Sequence, residues 1–109
     1  MDLKQLTEEM NHFVESKGWY RPDTRRPQTP RNLAISLNLE AAEILEYFQW
    51  SDQVADQEGL AEELADVSLY LLQLASVSHI DLEAAILHKL EKNYHRQWDR
   101  PDEKKESKQ

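Results

Sequence analysis

The sequence predicts an all-α protein built from four main helices. Three observations carry that prediction. Apolar residues recur at three- and four-residue spacing in four separate segments. Residues that favour helix starts precede most of those segments. The 109-residue chain has only 2 Gly and 4 Pro, with 39% hydrophobic residues, which suits a globular helical domain better than a disordered chain. No segment reads convincingly as a strand.

The first helix is expected over residues 3–17. Asp2 followed by Gln5 has the form of a capping box. Leu3, Leu6, Met10, Phe13 and Val14 make its apolar stripe, and Gly18 is a natural stop. Residues 18–29 read as a loop with Pro22, Pro27 and a basic cluster of Arg21, Arg25 and Arg26. Thr29-Pro30 then signals a second helix, with Thr as N-cap and Pro in the first turn, running to about residue 50. Leu33, Leu37, Ala41, Ile44 and Phe48 form one stripe on it. Ile35, Leu39, Ala42 and Leu45 lie elsewhere around the same helix, so it is expected to be buried on more than one side, as at a subunit interface.

Residues 51–58 form a polar connection. The third helix is expected over residues 59–77, with Leu60, Leu64, Val67, Leu71 and Leu74 as its core face. His79-Ile80 is a short break, and Asp81 is the N-cap expected for a fourth helix over residues 82–97. Residues 1–98 are read as one domain, and residues 99–109, with Pro101 and a run of charges, as a flexible tail.

Composition narrows the function classes. A formal net charge of −8 is the wrong sign for a general nucleic-acid binder. The chain has no Cys, which excludes disulfides and thiolate metal sites and is compatible with a reducing, cytoplasmic setting. The first residues lack the apolar run of a secretory signal, and the apolar stretch at 67–77 is too short and too polar to span a bilayer, so no membrane partner is expected. A chain of this size buries a limited core, which makes self-association a reasonable expectation.

Two acidic pairs carry the functional signal. Glu40/Glu43 and Glu63/Asp66 are each spaced by three residues within apolar helical sequence. At 100° per residue, the members of a pair lie about 60° apart on one side of a helix. Both pairs border the apolar stripe, so they sit where two helices meet. Glu46 extends the first row by a turn, and Tyr70 extends the second. Acidic residues on helices are usually solvated, and a single such pair carries little weight. Two pairs converging from facing helices would repel strongly unless a cation lay between them. An all-oxygen donor set suits a hard divalent ion such as Mg²⁺. Neither Glu40 nor Glu63 is followed by His three residues later, as a di-iron bundle needs. His12, His79, His88 and His95 form no HExxH zinc motif.

The run EAAEILEYFQW, followed by EELADVSLYLLQLA and preceded by Pro30-Arg31-Asn32-Leu33, resembles the all-α nucleotide pyrophosphohydrolases of the MazG-like superfamily. The branch it is most similar to is that of the dCTP pyrophosphatases, from about Trp19 to Arg96. The resemblance implies a MazG-like helical bundle assembled as a homo-oligomer, a homotetramer first and a homodimer as the alternative. It implies hydrolysis of a nucleoside triphosphate, dCTP or a modified dCTP as first guess, to the monophosphate and pyrophosphate, in the cleaning of nucleotide pools. Glu40, Glu43, Glu63 and Asp66 would be the Mg²⁺ ligands. Glu43, Glu46 and Glu63 would be the catalytic carboxylates, Glu46 either binding a second ion or activating water. Trp19, Trp50 and Asn32 would hold the base, and Tyr70 would lie near the sugar and phosphates. Lys89, Asn93 and Arg96, spaced four and three on the fourth helix, would bind the phosphates, although such residues are also ordinary for a helix C-terminus. The rival reading is a catalytically silent helical module that binds a nucleotide or a protein.

Overall fold

The structure is a computed structural model, and it describes residues 1–97. It contains four α-helices: α1 (Leu3–Ser16), α2 (Pro30–Leu45), α3 (Gln57–Val77) and α4 (Leu82–Tyr94). No strand occurs among the described residues. No helix among them is long and apolar enough to cross a membrane. The part of the fourth helix expected beyond Tyr94 is a turn, and the tail expected at 99–109 lies outside the described residues.

Helix starts follow the local chemistry of the sequence closely. Gln5 N–H donates to Asp2 Oδ1 at 2.8 Å and Asp2 N–H donates to Gln5 Oε1 at 2.9 Å, closing the capping box of α1. Thr29 Oγ1 accepts from Asn32 N–H, with Pro30 as first helical residue of α2. Asp81 Oδ1 accepts from Ala84 N–H at the start of α4. Asp56 caps α3 by accepting from Gly59 N–H, so that helix starts two residues earlier than expected. Gly18 ends α1 in the left-handed region, φ 76°, where a side chain would be strained.

Two expectations about the helices need correction. The second helix does not continue smoothly to residue 50; after Leu45 the chain tightens into a 3₁₀ turn, Glu46–Phe48, which redirects Glu46 and Tyr47. The core face of α3 is also different. Leu64 and Leu71, expected inside, are exposed, whereas Leu72, Gln73 and Ala75 are buried. Leucines lie nearly all round α3, so periodicity alone could not select the buried face.

The largest packing surface is between α2 and α3, and α1 lies on α3. Helix α4 makes smaller contacts with α1 and α3. Met10 and Val14 of α1 pack on Leu72 of α3, with Leu3, Trp19, Tyr20 and Leu82 around them. Leu33 is the most enclosed large side chain at 2% exposure. Beyond this small core, α2 shows Ile35, Leu39 and Leu45 to solvent, and α4 shows Ile86, Leu87 and Leu90. The radius of gyration is 17.4 Å, against about 13 Å for a compact domain near this length. A single chain therefore leaves much of its apolar surface uncovered.

Removing a side chain from so small a core is costly. Leu33→Ala is expected to lower unfolding free energy by about 2–5 kcal/mol, and Thr29→Ala by about 1 kcal/mol, in urea titrations followed by far-UV circular dichroism. Equal effects of the two changes would contradict the enclosed position of Leu33.

Candidate metal centre and adjoining cavity

Helix α2 carries Glu40 and Glu43 on successive turns, and its close packing on α3 brings Glu63 opposite them. One carboxylate oxygen from each of the three lies within 4.8 Å of the other two. Glu63 Oε2 is enclosed and has no hydrogen-bond partner. An enclosed oxygen with no donor is expensive, and three carboxylates in one place add mutual repulsion. A cation would relieve both costs, and three carboxylate oxygens match the preference of Mg²⁺ rather than that of a softer metal. The residues present therefore fit a hard divalent ion.

The electrostatics point the same way. Glu40 holds its proton above the ordinary value of 4.5, first because it is partly withdrawn from water, then because Glu43, Glu63 and Asp66 are close. Glu63 is raised for the same first reason, with Glu43, Asp66 and Glu46 adding to it and a hydrogen bond from Glu40 acting in the opposite direction. Asp66 is outside the closest trio, yet its charge is felt by both Glu40 and Glu63. Glu46, carried by the 3₁₀ turn, lies near enough to act on Glu63.

Tyr47, which no sequence pattern singled out, also lies beside this cluster. Its phenol is raised by loss of hydration first, then by Glu63, Asp56, Glu62 and Glu43. It closes over the start of α3, where a Cβ on Gly59 would meet Tyr47 Oη at 2.8 Å and the Asp56 carboxylate closer still. Gly59 lets the Asp56 cap and the Tyr47 phenol share that space.

A cavity of about 680 Å³ adjoins the acidic cluster, with Asp66 in its wall. Trp19, Asn32 and Tyr70, all expected to contact substrate, line it. So do Gln28, Ser36 and Gln73, which sequence reasoning did not single out, and the loop residues Arg25 and Arg26. The Arg26 guanidinium lies over the Trp19 ring at 5.5 Å, and Phe13 packs edge-to-face with Trp19, their ring centroids 5.8 Å apart. Its size suits a small molecule with one aromatic ring system and a polar tail. Trp50, Lys89, Asn93 and Arg96 are not in its lining. Trp50 is 89% exposed just after the 3₁₀ turn, and Lys89 is exposed on α4.

The profile of the MazG-like family matches residues 35–109, a span that includes both acidic pairs. The chain belongs to the MazG-like family. It is 38% identical over 104 residues to dCTP pyrophosphatase 1 of Rattus norvegicus, and 37% identical over 104 residues to the human protein of that name. The rat alignment covers 87% of this chain and 56% of the relative, so the chain spans a little over half the length of these curated proteins. A pyrophosphatase from Archaeoglobus fulgidus, solved by crystallography, superposes with a TM-score of 0.67 and 37% identity, over 84% of this chain and 87% of the other. The MazG-like resemblance in the sequence and the all-helical architecture thus agree with these comparisons.

The raised carboxyls have a consequence for stability. In the unfolded chain they titrate at the ordinary value; in the folded chain they keep protons to higher pH. The folded state binds more protons in that window, so their contribution to stability falls as pH rises through it. In EDTA, Glu63→Gln should melt above the wild type at pH 8, with the gap narrowing toward pH 5. Millimolar Mg²⁺ should raise the wild-type melting temperature and leave the variant nearly unmoved. A wild type indifferent to both pH and Mg²⁺ would count against the metal centre.

Proposed function

We propose that this protein is a Mg²⁺-dependent nucleoside triphosphate pyrophosphohydrolase, converting a (deoxy)nucleoside triphosphate, with dCTP or a modified dCTP foremost, to the monophosphate and pyrophosphate. The observation that carries the proposal is the convergence of Glu40, Glu43 and Glu63 beside a cavity lined by Trp19, Asn32 and Tyr70, with Asp66 in the cavity wall and its charge acting on Glu40 and Glu63. Family membership and the names of the relatives support the same reaction class.

Glu40, Glu43, Glu63 and Asp66 would hold the ion. Bound Mg²⁺ supplies positive charge for the triphosphate and makes a water molecule more acidic. Glu46 stands one turn beyond Glu43 and is the residue proposed to accept a proton from the attacking water. The water oxygen forms a bond to the α-phosphorus, and the bond from that phosphorus to the bridging oxygen breaks. Pyrophosphate leaves with the bonding electrons. The carboxylates need no covalent intermediate, in keeping with a chain that has no Cys. Trp19 would stack on the base and Asn32 would meet its polar edge, while Tyr70, one turn past Asp66, would face the sugar and phosphates.

Lys89, Asn93 and Arg96 remain the proposed phosphate contacts, with Trp50 as an additional wall for the base. Because none of them lines the cavity of their own chain, the proposal includes a homo-oligomer in which a neighbouring copy completes the site, a tetramer first and a dimer as the alternative. The exposed Ile35, Leu39 and Leu45 of α2 and the extended shape of the single chain support such an assembly.

The test is pyrophosphate release from canonical and modified triphosphates, with Mg²⁺ and with EDTA. Release that requires the metal and favours dCTP is expected. Glu46→Gln should lower turnover by about 10²- to 10⁴-fold with KM little changed, the range associated with loss of a positioned general base. A folded, Mg²⁺-loaded protein that releases no pyrophosphate from any triphosphate would leave the silent binding module as the better reading.

A further inference from the structure

Gln73 is a polar side chain in the middle of the apolar α3, and at 4% exposure it is buried. It also lines the cavity described above. Its orientation follows from an atom that has no ambiguity. The backbone carbonyl of Arg26 can only accept, and Gln28 Nε2 donates to it at 2.6 Å. Gln28 therefore turns its Oε1 the other way. That oxygen accepts from Gln73 Nε2 at 2.7 Å. The amide group of Gln73 is thus fixed with its nitrogen toward the loop.

On its other side the Gln73 amide lies close to Tyr20. Tyr20 donates its own proton to Asn11 Oδ1 at 2.6 Å, which leaves the phenol oxygen to accept. Burial raises the pKa of this phenol, and the Gln73 amide partly offsets that rise. Asn11 Nδ2 in turn donates to Ser76 Oγ at 3.0 Å. Donation runs outward from the Gln73 amide nitrogen through Gln28 to the Arg26 carbonyl, and on the far side from Tyr20 through Asn11 to Ser76. What it leaves uncommitted on Gln73 is the side-chain carbonyl.

We propose that Gln73 is a specificity-determining residue: its side-chain carbonyl accepts a hydrogen bond from the exocyclic amino group of a cytosine or adenine base and disfavours bases with a keto oxygen there. The inference rests on the pyrophosphohydrolase reading above and adds the basis of base choice. The chemistry is simple. Cytosine and adenine present an amino donor where uracil, thymine and hypoxanthine present an acceptor. Against a fixed carbonyl, the amino group gains a hydrogen bond, whereas the keto oxygen meets another acceptor and both lose water without replacement. Gln28 is the positioning residue, because its bond to the Arg26 carbonyl keeps the Gln73 amide from turning over.

The experiment compares dCTP with dUTP, and dATP with dITP, by kcat/KM in the wild type, Gln73→Met and Gln28→Ala. Binding of dCMP and dUMP in EDTA, measured by calorimetry, supplies a readout independent of turnover. The wild type should favour the amino member of each pair by about tenfold or more. Gln73→Met, which keeps the volume and loses the amide, should bring both ratios close to one while dUTP turnover persists. Gln28→Ala should relax the same ratios with Gln73 intact, and it decides the matter if the Met variant fails to fold. A wild type with no amino preference, or a folded Gln73→Met protein that keeps it, would overturn the proposal. If no triphosphate is hydrolysed, the pyrophosphohydrolase reading fails on its own, and the dCMP–dUMP comparison still tests the Gln73 carbonyl.

Discussion

The seam between α2 and α3 carries both the largest packing surface of the chain and its least favourable electrostatics. Close packing along the seam holds the two helices at a distance that brings one oxygen from each of Glu40, Glu43 and Glu63 within 4.8 Å of the others. The carboxylates push against that packing, and Glu40 and Glu63 keep their protons longer than free side chains do. Everything else in the site depends on this opposition. The 3₁₀ turn brings Glu46 within reach of Glu63, and the helical register of α3 puts Asp66 and Tyr70 on the side facing the cavity. A site that is costly when empty is well prepared for a cation, because little rearrangement is needed once the charge arrives.

How much of this could be read from the chain depended on the range of the interactions. Three of the four helix starts were legible in Asp2, Thr29 and Asp81, since a cap is a contact between residues three apart. The acidic pairs were legible because a spacing of three has one meaning on a helix. The buried face of α3 was not. Leu64, Leu71 and Leu72 are chemically alike, and which of them is covered is settled by α1, far away in sequence. Gln73 has no distinctive pattern in the sequence, because its partner Gln28 lies in a loop forty-five positions earlier. Tyr47 escaped notice because the 3₁₀ turn that redirects it leaves no distinct pattern in composition.

The cavity itself joins four pieces of chain: α1, the following loop, α2 and α3. The loop is tied down by side-chain amides rather than by an apolar core. Asn32 Nδ2 donates to the Pro27 carbonyl at 2.9 Å, Gln28 bridges Arg26 to Gln73, and Arg26 rests on Trp19. Such directional contacts fix geometry with little buried area. They hold the cavity wall in a chain whose enclosed core is small and whose α2 and α4 leave apolar side chains in water.

Gly59 has a consequence for anyone who would engineer this protein for heat resistance. A glycine in the first turn of a helix is an obvious target for replacement by alanine, which ordinarily gains about 1 kcal/mol from backbone propensity alone. Here the added methyl would collide with the Asp56 carboxylate and the Tyr47 phenol. One of them must yield, loosening either the cap of α3 or the cover beside Glu63. A rule of thumb drawn from isolated helices would therefore mislead at this position, and a design protocol should treat residue 59 as part of the site's architecture rather than as spare sequence.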